Sequence, residues 1–152
     1  MERPGLWNCL FRTAKLRFYY SFLRFDTVVV RYGKHHFNLE LADTKIKGQV
    51  GLSFRKEIGK ADGIIFVYPK PTPTKIWMMN MNLDIDIIWL NSKGKVIYLI
   101  ENARMSDSWH DFAIYQVKKK SSYAIELNSG DIKWNSIKLG GRFILPEMAY
   151  SS

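Results

Sequence analysis

The chain has 152 residues, 47% hydrophobic and 14% aromatic, with a single cysteine, Cys9, and a formal net charge of +9. That length suits one domain, and that apolar share excludes disorder over the whole chain. One cysteine excludes an intrachain disulfide and a cysteine-rich metal site, so a compact fold must rest on burial alone.

The charge is uneven. Residues 1–36 hold seven cations (Arg3, Arg12, Lys15, Arg17, Arg24, Arg31 and Lys34) against Glu2 and Asp26, a balance of +5 out of +9. A basic front end of this kind suits an anionic surface, lipid or nucleic acid.

Residues 1–26 form a leader segment. Leu6, Trp7, Leu10, Phe11, Ala14, Phe18, Phe22 and Phe25 recur at three- and four-residue steps, which predicts an amphipathic helix. Arg12, Lys15 and Arg17 interrupt it, so it has neither the apolar length of a membrane span nor the apolar core of a signal peptide. Asn8 stands where a lipid-modified cysteine expects a small residue. The expectation is a basic, aromatic helix able to lie on an anionic membrane surface through Arg3, Arg12, Lys15, Arg17 and Arg24.

From residue 27 the pattern becomes short β-type runs, predicting one β-rich domain over 27–152. Thr27, Val28, Val29 and Val30 are β-prone. Phe37, Leu39 and Leu41 alternate with polar neighbours. Asp43 and Thr44 read as the start of a short helix reaching about Leu52. The apolar run 64–68 predicts a central strand, ended by Pro69, Pro71 and Pro73, with a separate strand over 76–79. Residues 85–90 and 96–100, joined by Asn91-Ser92-Lys93-Gly94, read as a hairpin. Residues 102–111 are polar and irregular. Strands are then expected over 112–117 and 123–127, a short helix from about Asp131 to Ser136, and a last strand over 142–145. Seven or more strands with two short helices after the leader favour a mainly β, sandwich- or barrel-like single domain.

Several residues can carry chemistry. Asp86 lies in an apolar strand, where an ionised carboxylate is costly unless it is paired. With Asp84 on the same side it can form a cation site or an acid–base pair, or it can bond Arg55 or backbone amides and serve the fold. Arg55 offers a planar fork that can clamp an anionic ligand or pair with Asp86 or Glu126. Trp77 and Asn80 combine a stacking face with an amide suited to a sugar pocket. The neighbouring Met78, Met79 and Met81 read as core fillers rather than soft metal ligands. His35 and His36 point to opposite faces of a strand and, with His110, form no zinc pattern. Ser106, Ser108 and His110 lack a nucleophile-elbow context, and no phosphate-binding glycine loop occurs.

In order and spacing, the stretches Ala42-Asp43-Thr44, Gly51-Leu52-Ser53-Phe54-Arg55, Asp62-Gly63-Ile64-Ile65-Phe66-Val67, Trp77-Met78-Met79-Asn80, residues 83–90, Gly94-Lys95-Val96 and Ala124-Ile125-Glu126-Leu127 to Gly130 resemble domain-of-unknown-function family 192 over residues 37–143. The resemblance implies a compact, mostly β barrel or sandwich and implies no reaction. Members of that family often have an exported or envelope-tethered look. Met79 stands where the family usually has lysine, Asp84 where it has proline, and Asn91 where it often has aspartate. The cysteine-containing loop of some members has no counterpart around residues 102–116.

The leading expectation is a non-enzymatic small-ligand binding or interaction module with its site near Arg55, Trp77, Asn80 and Asp86. It needs no cofactor or metal, and its candidate partner is an anionic membrane or envelope surface. Two alternatives are a hydrolase of a polar or glycan substrate, with Asp86 as base and Arg55 as clamp, and nucleic-acid binding through the basic front segment.

Overall fold

The computed structural model describes residues 6–152 except 107 and 109. Its centre is one seven-stranded sheet curled into a half-barrel. In chain order the elements are α1 (Leu6–Tyr20), β1 (Thr27–Tyr32), β2 (His35–Ala42), α2 (Lys45–Val50), β3 (Gly63–Trp77), β4 (Ile85–Leu90), β5 (Val96–Ala103), β6 (Ile114–Asn128), α3 (Asp131–Trp134) and β7 (Phe143–Ile144). The strands lie in the order β5-β4-β6-β3-β2-β1-β7. All neighbours are antiparallel except β2 and β3, which run parallel and are joined through α2.

Period-two alternation assigns the side chains to two apolar layers. On one face, Ala42, Ile64, Phe66, Ile87, Trp89 and Ala124 pack under Val50 and Leu52, with Cys9 and Leu16 of α1 above them. On the other, Leu39, Ile65, Ile88, Leu90, Ile125 and Leu127 are closed over by Val30, Phe37, Ile132, Ile137 and Phe143. Every residue of β4 is buried, as expected of a strand covered on both faces.

The mainly β fold, the hairpin of β4 and β5 and the short helices agree with the sequence pattern. Thr44 caps α2, its hydroxyl accepting the Lys47 amide at 3.2 Å. Two expectations need correction. Pro69, Pro71 and Pro73 do not end a strand, because β3 runs through them to Trp77. The prolines lie exposed where the β3–β6 register shifts, between Val67 and Thr72 and again before Thr74. A missing amide there removes no required ladder bond. The two strands expected over 112–117 and 123–127 are likewise one, β6. The remaining differences are at element ends: Met78 and Met79 fall just beyond β3, α2 stops at Val50 and α3 at Trp134, β7 covers two residues, and β5 runs on to Ala103, into the stretch expected to be irregular.

Gly63 shows how tightly β2, β3 and β6 are joined. It pairs with Leu39 on one side and Leu127 on the other. A Cβ there would run into the Glu126 carbonyl and come within 2.8 Å of the Leu127 side chain. Gly63→Ala is therefore expected to cost about 1–3 kcal/mol of stability. Urea unfolding measures this, and an unchanged midpoint would refute the tight junction.

Candidate functional site

The structure separates the four residues singled out in the sequence. Asp86 is fully buried on the face that carries Ile88 and Leu90. Its Oδ1 accepts the Asn102 amide at 2.8 Å, and its Oδ2 accepts the amides of Gly130 at 3.0 Å and Ile132 at 2.8 Å. These bonds tie β4 to β5 and to the start of α3. Arg55 belongs to the opposite face, where its guanidinium forks onto Glu40 of β2 at 3.0 and 2.7 Å and stacks 5.2 Å from the Phe25 ring. Asp86 and Arg55 thus share no pocket. Asn80 donates from its amide to the Thr13 hydroxyl at 3.1 Å, fastening α1, and adopts φ 60°, a left-handed conformation that asparagine tolerates. Trp77 carries the Arg12 guanidinium 4.5 Å above its ring and lines a cavity.

That cavity, about 250 Å³, lies between α2 and the sheet. Val50, Leu52, Phe66 and Trp77 supply apolar walls, and Lys45 and Lys75, both exposed, contribute to its lining. Gly51, at φ 47°, ends α2 and brings its backbone close to the Phe66 ring, 3.2 Å from where a Cβ would stand. Tyr150 of the C-terminal tail forms part of the wall, and the tail is pinned by the Ser151 amide donating to the Asp43 carbonyl at 2.6 Å.

Two titratable groups in the wall did not stand out in the sequence: Glu126 and Tyr68. Glu126 follows Ala124 at the same strand parity, so it points into the layer under α2 and is 4% exposed. The register places Glu40, Ile64, Glu126 and Ile87 in one row across β2, β3, β6 and β4. Glu40 and Glu126 therefore stand two strands apart, roughly 10 Å. Burial pushes the Glu126 carboxyl up to about 8, with the Arg55 charge opposing the shift. At neutral pH it keeps its proton and offers one donor and one acceptor. Among the described residues no hydrogen bond reaches it. Burial also holds the Tyr68 phenol above its usual range, against the bond from Thr74 that favours ionisation, and the Glu126 charge adds to the rise. Thr74 and Ser121 share a hydroxyl–hydroxyl bond of 2.8 Å behind it. Glu126 could have been found as an ionisable side chain two residues after Ala124, and so in phase with it, inside the apolar stretch that ends at Leu127.

The model of domain-of-unknown-function family 192, described as Uncharacterized ACR, matches residues 27–145. The chain belongs to this family. The match leaves α1 and the last seven residues outside the family region. Two solved structures share the fold of this family 192 domain. A Sinorhizobium meliloti 1021 protein described as a "putative transcription regulator" is 26% identical, with a TM-score of 0.74 over 81% of this chain and 96% of its own. A protein of unknown function from Novosphingobium aromaticivorans DSM 12444 is 29% identical, with a TM-score of 0.69 over 78% of this chain and 84% of its own. No curated protein matches. Among the described residues no group of three or more His, Cys, Asp or Glu side chains could hold a metal, and no helix is long and apolar enough to cross a membrane.

Two outcomes are expected. Asp86→Asn loses the carboxylate on which three backbone amides converge, and should cost about 3 kcal/mol of stability by chemical denaturation; a neutral substitution would refute the anchoring role. Glu126 acts through protons. Below about pH 4.5 its carboxyl is protonated whether folded or unfolded, and its contribution is complete. Between about pH 4.5 and 8 the folded chain retains a proton that the unfolded chain releases, so stability falls as pH rises, by up to about 1.4 kcal/mol per unit. Glu126→Gln has no such proton and should be more stable than the wild type at pH 8, with a flatter profile. Identical pH profiles would show that Glu126 is ionised in the fold.

Proposed function

We propose that this domain binds a small polar ligand in the cavity between α2 and the sheet, with Glu126 as its hydrogen-bonding centre. The reading rests on one observation: the carboxyl of Glu126 lies in the cavity wall, keeps its proton, and among the described residues makes no hydrogen bond. Buried polar groups in folded proteins are almost always satisfied, and one left open at a cavity suits a guest.

The walls restrict what that guest can be. A volume of about 250 Å³ falls just below the roughly 300–1,000 Å³ of sites for drug-sized molecules, which suits a single sugar ring or a compact amide. A cation is disfavoured by Lys45 and Lys75 in the lining and by the guanidinium of Arg55 beyond Glu126. A neutral molecule with adjacent hydroxyl or amide groups matches a carboxylic acid that donates and accepts at once. Trp77 offers such a ligand an indole wall. Arg55 enters this reading through its field at Glu126. Asn80 enters by holding α1 beside Trp77, and Asp86 by fixing the opposite face.

The hydrolase alternative finds less support. A proton held to about pH 8 is what a general acid needs. The other carboxylate in the same row, Glu40, has both oxygens taken by Arg55, and Asp86 is on the far face.

Titration of the ¹⁵N-labelled protein with glucose, galactose and N-acetylglucosamine tests the binding reading. At least one sugar is expected to give saturable shifts at the Trp77 indole and the Gly51 and Ser53 amides. Glu126→Leu should weaken that binding about tenfold or more, and Glu126→Gln should largely restore it. No saturable shift with any of the three, or equal affinity in the leucine variant, would overturn the proposal.

A further inference from the structure

The helix α1 is amphipathic in an unexpected sense, because its most aromatic face looks away from the protein. Its buried residues are Cys9 and Leu16, with Thr13 and Tyr19 partly covered beside them. At 100° per residue these lie on one side of the helix. Phe11, Ala14 and Phe18 fall within a sector of roughly 60° on the opposite side, and Phe22, just past the helix end, continues the line. Phe11 is 72% exposed, Phe18 64% and Phe22 69%. The Phe18 and Phe22 rings lie 5.2 Å apart, forming a continuous apolar ridge.

Cations frame this ridge. Residues 6–25 contain Arg12, Lys15, Arg17 and Arg24 and no Asp or Glu. Lys15 and Arg17 leave the helix on either side of the ridge and are exposed, as is Arg24 beyond it. Arg12 is turned inward over Trp77. The Arg12–Trp77 stack and the Asn80–Thr13 hydrogen bond hold the helix against the body, so the ridge is presented rather than free to fold under.

We infer that this face seats the protein on an anionic lipid bilayer. The rings would enter the boundary between headgroups and acyl chains while Lys15, Arg17 and Arg24 meet lipid phosphates. The charges favour lipid over a second copy of the chain, since two such faces would bring cation against cation with no acidic residue to answer. The aromatic ridge distinguishes the face from one built for phosphate charge alone. The inference is independent of the cavity. Arg3, expected to join these cations, lies outside the described residues.

The 152-residue chain can be floated with vesicles of phosphatidylcholine alone and of phosphatidylcholine mixed with phosphatidylglycerol. Binding is expected to the mixed vesicles and to be at least tenfold weaker to the neutral ones. Phe11→Ser/Phe18→Ser/Phe22→Ser should melt like the wild type, since these rings are exposed, yet lose more than about tenfold in partitioning. Lys15→Gln/Arg17→Gln should lose about tenfold. Failure of the wild type to bind mixed vesicles would overturn the inference. So would vesicle binding that survives the serine changes and vanishes with salt, the mark of a purely electrostatic surface such as nucleic acid uses. A wild-type dimer in solution that the serine changes dissolve would overturn it as well, assigning the ridge to a second copy.

Discussion

Strands covered on both faces leave no water for a charged group, and the interior of this protein is arranged around that constraint. Asp86 and Glu126 sit one register step apart on the adjacent strands β4 and β6, where Asp86 pairs with Leu127 and Ile87 with Glu126. One step in a strand is a change of face. Asp86 therefore enters the layer closed by α3, where three amides converge on it. Glu126 enters the layer beneath α2, where no donor among the described residues meets it, and it keeps its proton. Two carboxyls that are near neighbours in the ladder are answered in opposite ways, one by hydrogen bonds and one by neutralisation.

The same alternation explains what the sequence could and could not reveal. The β4–β5 hairpin was readable because two apolar runs flank a turn of Asn, Ser, Lys and Gly, a local signal that needs no knowledge of the rest of the fold. The continuity of β3 was not readable. Prolines usually end a strand, but here they fall on an exposed stretch whose register shifts spare the ladder, and that depends on where β6 lies. A pairing of Arg55 with Asp86 or Glu126 was a reasonable expectation from residue type alone. Which of the two shares a face with Arg55 depends on the register of β2, β3, β6 and β4, and no spacing along the chain encodes it. The structure gives Arg55 to Glu40, a residue that reads in sequence only as the polar half of an alternating strand.

Of the expected site residues, Trp77 lines the cavity, while Arg55 pairs with Glu40 and its charge is felt at Glu126. Asn80 and Asp86 hold elements together around it. In the proposed reading the weight thus passes from the residues that look unusual in sequence to one that looks ordinary. A glutamate in a strand is unremarkable until its neighbours are known to be buried. The domain shared with family 192 supplies the cavity floor and Glu126, and the aromatic helix before Thr27 lies outside the region that the family model matches.

Tyr150 gives the cavity a wall that is not woven into the sheet. It sits on a tail beyond β7, and the backbone bond from Ser151 to Asp43 anchors that tail beside the cap of α2. Anything fused after Ser152 would emerge beside the chamber and pull on one of its sides. An affinity tag placed there would change the shape of the chamber.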